Sequence, residues 1–304
     1  MKAENSILLV VNPIAGDRNK DSIIQSVSTA CENRNLDLII FETTGNKDEQ
    51  IIENRLNEKP ISRVLVVGGD GTVSMVANCL IDKQVVMGII PAGSANGLAM
   101  NFGIPHDLFE RITIALSDYI MPIDVLFLNN KICLHIADIG LNAELVKNYE
   151  TGSIRGKLGY LIQSIPTLMH SESPFTFSIQ TNEETIEETG ILLAIANANK
   201  FGTGANINPE GRINDGKFEI LIFKNLDVIE ILKTIKDNPD LSTDFVRVIS
   251  TDEARITSNT SAPFQIDGEF IEEIKEVSIT IKREKLWVAV PQLFFKANAT
   301  KLQI

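Results

Sequence analysis

The sequence predicts a doubly wound α/β domain followed by a β-rich second domain, a sandwich or open barrel. Three observations predict it. Up to Pro122, short apolar runs alternate with helical patterns. Those runs are continuous rather than alternating, as in parallel strands covered on both faces. Beyond Pro122 the texture changes to strand signals spaced by Gly, Asn and Asp turns. The length, 304 residues, suits two domains at about 150 residues each.

In chain order, Ser6–Val11 (SILLVV) reads as a buried strand, 21–33 as a helix, 36–41 as a strand and 47–57 as a helix. Residues 63–67 (RVLVV) form the next strand. The following segment carries Val73, Val76, Ala77 and Leu80 at i, i+3, i+4 and i+7, the stripe of an amphipathic helix starting near Val73. Residues 85–90 (VVMGII) are again a continuous run. In the second part the strands are FTFSIQT, ILLAIANA, KFEILIF, ARITS, APFQID, EVSITIK and LWVAVP, with helices at 157–169 and 227–237. The boundary falls at 121–124, giving domains 1–122 and 123–286, and no internal repeat or low-complexity segment interrupts them.

Charge excludes one class of partner. Lys plus Arg is 28 against 40 for Asp plus Glu, a net −12, and no basic run exceeds two residues. Nucleic-acid binding needs clustered positive charge, so it is not expected. An anionic membrane would have to be approached through a local patch, because the global field is repulsive. Cys31, Cys79 and Cys133 are far apart, as free thiols in a reducing compartment are, and with His106, His135 and His170 they make no zinc-site spacing. The apolar run before Asn12 is about five residues, too short for a signal peptide or a span. A soluble, cytoplasmic protein able to touch a bilayer from outside is the expectation.

Three loops carry the chemistry. Gly68, Gly69, Asp70, Gly71 and Thr72 lie between a strand and a helix. Glycines permit close backbone approach, and a helix N-terminus offers unpaired N–H groups, which together make an anion cradle. The segment fits neither GxxxxGK[ST] nor GxGxxG. A carboxylate inside such a cradle repels phosphate unless a divalent cation intervenes, so Asp70 suggests Mg²⁺. The bland alternative is a tight turn with Thr72 as helix cap. PAGSANGLA repeats the strand, loop and helix logic, with Ser94 and Asn96 as polar groups, or is only a capped loop. Asn12-Pro13-Ile14-Ala15-Gly16 leaves the first strand in the same way. Loops at the carboxyl ends of one parallel sheet converge on one crevice.

NPIAG, GGDGT and PAGSANGLA, in this order and at these separations, resemble the catalytic module of the diacylglycerol kinase and sphingosine kinase superfamily of lipid kinases. INPEGRINDGKFEILIF and FQIDGEF extend the resemblance over nearly the whole chain. It implies an NAD kinase/diacylglycerol kinase-like first domain, with the tail from about 287 to 304 returning to it, and the cofactors ATP and Mg²⁺. The implied ATP contacts are Asn12, Gly16, Thr44, Gly68, Gly69, Asp70, Gly71, Thr72, Ser74, Ser94 and Asn96. Glu269, in Asp267-Gly268-Glu269, is the implied general base, with Asp70 as the alternative used in sphingosine kinases; without the resemblance the segment is a hairpin turn. Asp215 is implied to bind a structural Mg²⁺ with the backbone carbonyls of Arg212 and Lys217.

Glu144 falls near an acidic residue that meets the amine of a sphingoid base in those relatives, or is a solvated helical charge. Arg155 and Lys157 face a headgroup or the solvent. Gly97 is a departure: the bacterial diacylglycerol kinase-like enzymes carry Asp there, and PAGSANGLA is nearer to the form found in sphingosine and ceramide kinases. Leu293, Phe294 and Phe295 are either a membrane-contact patch or packing against the first domain. The expected activity is ATP-dependent phosphorylation of a diacylglycerol- or sphingosine-like lipid at the membrane surface, by a protein peripheral at the inner face; a homodimer is compatible. The competing readings are a soluble-substrate kinase of the NAD kinase type, which shares GGDGT, and a non-catalytic relative.

Overall fold

The structure, a computed structural model, describes residues 6–16, 19–94, 96–140, 174–201, 205–234, 236 and 239–299. Glu144, Arg155, Lys157 and the helix expected at 157–169 lie outside the described residues. The chain forms two compact units, Met1–Ile123 with Glu284–Ile304, and Asp124–Arg283.

The first unit holds β1 (Ser6–Val11), α1 (Asp21–Glu32), β2 (Asp37–Glu42), α2 (Asp48–Glu58), β3 (Ile61–Gly68), α3 (Asp70–Leu80), β4 (Val86–Pro91), α4 (Gly97–Phe102) and α5 (Leu108–Ala115). β2, β1, β3 and β4 lie side by side, all parallel. Ile7, Leu9 and Val11 bury one face against Val27, Cys31, Ile112 and Ala115 of α1 and α5. Leu8 and Val10 on the opposite face are equally buried, and α3 packs on β3. Coverage on both faces is why these strands read as unbroken apolar runs. α3 begins at Asp70, not near Val73. Gly69 is extended and precedes the helix, so Asp70, Gly71 and Thr72 form its first turn. A glycine and two polar residues show no apolar stripe, which hid this turn from periodicity.

The second unit contains β6 (Lys131–Cys133), β7 (Ile136–Gly140), β8 (Phe175–Thr181), β9 (Thr185–Gly190), β10 (Leu192–Ala196), β11 (Lys200–Phe201), β12 (Ala205–Asn206), β13 (Phe218–Phe223), α6 (Val228–Lys233), β14 (Val246–Thr251) and β15 (Glu253–Ile266). β5 (Ile120–Leu128) enters it, and β16 (Glu269–Ala289) leaves it. Within the unit, β7, β10, β13 and β14 pair antiparallel, as do β15 with β7, β8 and β16. Phe177, Ile195, Phe218, Ile256, Phe264 and Val277 meet in its core. Ala194, Leu221 and Phe223 on the other face of β10 and β13 meet Phe245 and Val246.

Two strands are longer than expected. ARITS and APFQID belong to the single strand β15, whose register shifts between Thr257 and Ala262, so the exposed polar residues there mimic a loop. EVSITIK and LWVAVP are one strand, β16, with Glu284 at φ +52°. From Glu284 on, the chain is in the first unit, where Trp287, Val288 and Ala289 pair parallel with β4. There α7 (Gln292–Ala299) sets Phe294 edge-on to Phe102 at 5.1 Å and Phe295 against Tyr119 at 5.7 Å, while Leu293 is exposed. Cys31, Cys79 and Cys133 are buried and free. Burial, then Glu49 and Glu53, pushes the Cys79 thiol up to about 12, so it is no nucleophile at neutral pH.

Candidate active site

The loops leaving β1, β3 and β4 meet in the first unit. Asn12 N–H donates to the Val67 carbonyl at 2.9 Å, and Ala92 N–H to that of Gly68 at 2.8 Å, so the ladder runs one step past the strands. Asn12 Nδ2 donates to Thr72 Oγ1 at 3.0 Å, joining the first loop to the head of α3, and Asn12 Oδ1 accepts from Ile14 N–H. Gly69 and Gly93 touch backbone to backbone. A Cβ on Gly93 would stand 2.4 Å from Gly69 Cα, and one on Gly16, at φ +60°, 2.6 Å from the Ala92 carbonyl oxygen. The glycines therefore serve close approach between loops.

Asp70 ties the second loop to the third. From the first turn of α3, its Oδ2 accepts from Gly97 N–H at 2.9 Å and its Oδ1 from Leu98 N–H at 3.4 Å, placing a carboxylate at the N-terminus of α4. An ionised carboxylate has about four acceptor positions, so two remain for a cation or its waters. Asn96, left-handed at φ +58°, clamps its own loop: its Oδ1 accepts from Gly93 N–H and its Nδ2 donates to the Gly93 carbonyl. Ser94 is exposed, and Ser74 is half-buried on α3. The N–H groups of the first turn of α3, Asp70 to Thr72, lack intrahelical partners and are the donors an anion would meet.

Thr44 lies on the turn after β2, next to β1. Asp48, buried at the start of α2, accepts from Thr44 N–H, from Gly45 N–H at 2.7 Å and from Thr44 Oγ1–H. Asp48→Ala is expected to destabilise the chain by about 1–2 kcal/mol, since one side chain satisfies two amides and a hydroxyl; urea unfolding checks this. Sequence reasoning missed Asp48, whose signal was an Asp four residues after Thr44 at a helix start. It also missed Lys20, 4% exposed, whose Nζ donates to the Ala15 carbonyl of the first loop. A lone Lys before a helix gives no sequence signal.

In the second unit, Asp267 and Gly268 form a two-residue turn between β15 and β16, both at positive φ, +49° and +88°. Glu269 is exposed at the start of β16. Asp267 itself points inward and is 4% exposed. It accepts from the N–H groups of Leu134 at 2.8 Å, His135 at 3.0 Å and Ile136 at 3.2 Å, and lies 2.7 Å from His135 Nδ1. Burial alone would raise its pKa, but the His135 charge and these hydrogen bonds prevail and hold it below the ordinary carboxylate range. Its stabilisation is therefore complete above the unfolded pKa, about 3.9, and is lost as the pH falls through the lower folded value. Asp267→Asn is expected to flatten the fall in unfolding free energy from about pH 5 down to about pH 2, read by urea titration.

Asp215 is exposed on the turn before β13, where its Oδ1 accepts from Lys217 N–H at 3.0 Å, and Arg212 is exposed nearby in sequence. Gly216 N–H donates to the buried Asp124 at 2.7 Å, and the Arg283 guanidinium lies over Gly216. Among the described residues no three His, Cys, Asp or Glu side chains gather as a metal cluster. A cation at Asp215 would rest on one carboxylate, backbone carbonyls and water, a set that suits Mg²⁺.

Residues 6–128 match the Diacylglycerol kinase catalytic domain, and residues 136–289 match the YegS C-terminal NAD kinase beta sandwich-like domain. A Klebsiella pneumoniae protein named "Probable lipid kinase YegS-like" is 28% identical over 69% of this chain and 71% of its own length. A Bacillus subtilis protein named diacylglycerol kinase is 22% identical over 91% of this chain and 96% of its own. The crystal structure of a diacylglycerol kinase from Bacillus anthracis superposes with a TM-score of 0.76 at 19% identity, covering 97% of this chain and 99% of that one. This last likeness concerns the fold.

Proposed function

The chain belongs to the diacylglycerol kinase catalytic-domain family, phosphotransferases with an alcohol acceptor, and from that premise we propose that it transfers the γ-phosphate of ATP to a hydroxyl of an amphipathic, diacylglycerol- or sphingosine-like lipid, with Mg²⁺. The observation that carries the reading is the meeting of three small-residue loops at the ends of β1, β3 and β4. Gly69 and Gly93 leave room for no side chain where the loops touch, and the head of α3 supplies free N–H groups. Phosphoryl transfer asks of a protein mainly positioning, charge neutralisation and one proton acceptor.

In this reading Gly68 to Thr72 hold the phosphates through backbone N–H groups. Asn12 and Asn96 set the flanking loops, and Gly16, Ser74 and Ser94 complete the nucleotide contacts. Thr44, with its N–H and hydroxyl engaged by Asp48, contributes the placement of its turn. Asp70, bound to the N–H groups of Gly97 and Leu98, organises the loops and turns its remaining acceptor positions to the metal. Mg²⁺, when bound, spreads and neutralises phosphate charge. Glu269 takes the hydroxyl proton as the lipid oxygen attacks. Asp215, with the carbonyls of Arg212 and Lys217, holds a second, structural Mg²⁺. If so, Mg²⁺ at a hundredfold excess over Kd stabilises the protein by about 2.7 kcal/mol, and Asp215→Ala abolishes the difference between thermal midpoints in Mg²⁺ and in EDTA.

Among the described residues no helix is long and apolar enough to cross a membrane, which fits an enzyme meeting its lipid at the cytoplasmic surface. The test is a panel of diacylglycerol, sphingosine, ceramide, monoacylglycerol and phosphatidylglycerol in mixed micelles, with NAD in parallel, using radiolabelled ATP. Label in a lipid is expected. NADP instead would assign a soluble substrate, and ATP binding without transfer to any acceptor would mark a non-catalytic relative.

A further inference from the structure

The Asp267-Gly268 turn is held more firmly than a hairpin needs. A two-residue loop of Asp and Gly, both at positive φ, closes a hairpin unaided, and its Asp side chain is ordinarily free to face water. Here that side chain is buried with a hydrogen-bonded donor on each oxygen: Leu134 N–H on Oδ2, and His135 N–H and Ile136 N–H on Oδ1, which also faces His135 Nδ1 at 2.7 Å. Successive N–H groups converging on one anion form a nest. The turn backbone is tied down as well, because Asp267 N–H donates to the Ile136 carbonyl at 2.8 Å.

A second line of contacts reaches Gly268. Gln265, 1% exposed, accepts from Gly268 N–H at 2.7 Å through Oε1 and donates through Nε2 to Asp138, which is also buried and is its register partner on β7. The two residues immediately before Glu269 are thus each fixed from inside the second unit. Burying a charged pair is weak evidence of stabilisation, since an apolar pair of similar volume serves stability as well. What the arrangement does supply is a single position for the residue that follows.

We propose that His135 and Asp267, backed by Gln265 and Asp138, are positioning residues that hold Glu269 in place for proton acceptance. This rests on the lipid kinase reading above, in which Glu269 is the acceptor. Asp267→Asn keeps the turn, since Asn-Gly suits positive φ at both positions, but sets an amide NH₂ or an uncharged oxygen against the nest. His135→Gln removes the ring from the other side.

The experiment measures hydrogen exchange in the peptide spanning 262–274 and steady-state phosphorylation of the lipid acceptor, for wild type, Asp267→Asn, His135→Gln, Glu269→Gln and the Asp267→Asn/Glu269→Gln double variant. Exchange in the turn is expected to rise about tenfold in the first two variants while the rest of the chain stays protected. Their kcat is expected to fall about 10²-fold with KM for ATP unchanged, the scale of a 1 Å misplacement. Asp267→Asn should lower the residual rate of Glu269→Gln no further. Wild-type exchange of the turn in both variants overturns the proposal. So does a double variant slower than Glu269→Gln by the factor that Asp267→Asn costs alone, which marks a general loss of structure. A wild type inactive on every alcohol, or a fully active Glu269→Gln, instead overturns the kinase reading and with it the catalytic half of the proposal, leaving exchange to decide whether the network holds the turn.

Discussion

Glu269→Gln is expected to lower turnover by about 10²- to 10⁴-fold, the range assigned to a positioned proton acceptor, while Mg·ATP binds as in the wild type. The substitution is nearly isosteric and falls on an exposed residue at a strand start, so the fold should not change. Its effect separates two candidates for the base. Asp70 holds two N–H groups at the head of α4, so Asp70→Asn should disturb both the loop arrangement and ATP affinity. Glu269→Gln should leave affinity alone and remove only the chemistry. A change in kcat without a change in ATP affinity is the signature of an interaction made in the transition state. Equal loss of ATP affinity in both variants would place Glu269 in nucleotide binding instead.

The second large effect is expected at Gly93. Gly93→Ala places a methyl group 2.4 Å from Gly69 Cα, and neither backbone can move without displacing its loop. Overpacking of this kind costs about 1–3 kcal/mol. Relief comes by separating the loops by roughly an ångström, enough to weaken a positioned site about 10²-fold. The variant should remain folded with a lowered thermal midpoint and a raised KM for ATP. An unchanged KM would mean that contact between these loops does not shape the nucleotide site.

How far the sequence foretold this molecule depended on range. β1, β3 and β4 were legible because burial on both faces makes them continuously apolar, and β8 because its alternation is clean. β9 (TIEETG) is polar on its exposed face, and β7 (IADIG) hides a buried Asp138 among apolar residues, so neither looked like a strand. The loop motifs were visible as local glycine patterns at strand ends. Their use in bringing Gly69 to Gly93, or Asp70 to Gly97 across 27 residues, is tertiary and leaves no local trace. The same holds for Asp267 and His135, 132 residues apart, where the Asp-Gly pair announced a turn but not the inward carboxylate.

If the loops after β1, β3 and β4 together receive the phosphates, an amide-resolved NMR titration with Mg·ATP will locate the ligand on them. The largest shifts are expected at Asn12, Gly16, Gly68 to Thr72 and Gly93 to Gly97, saturating together with a single Kd and reduced in Gly93→Ala. Saturable binding that leaves those amides unmoved, with shifts gathered elsewhere in the chain, would show that these loops do not receive the phosphates.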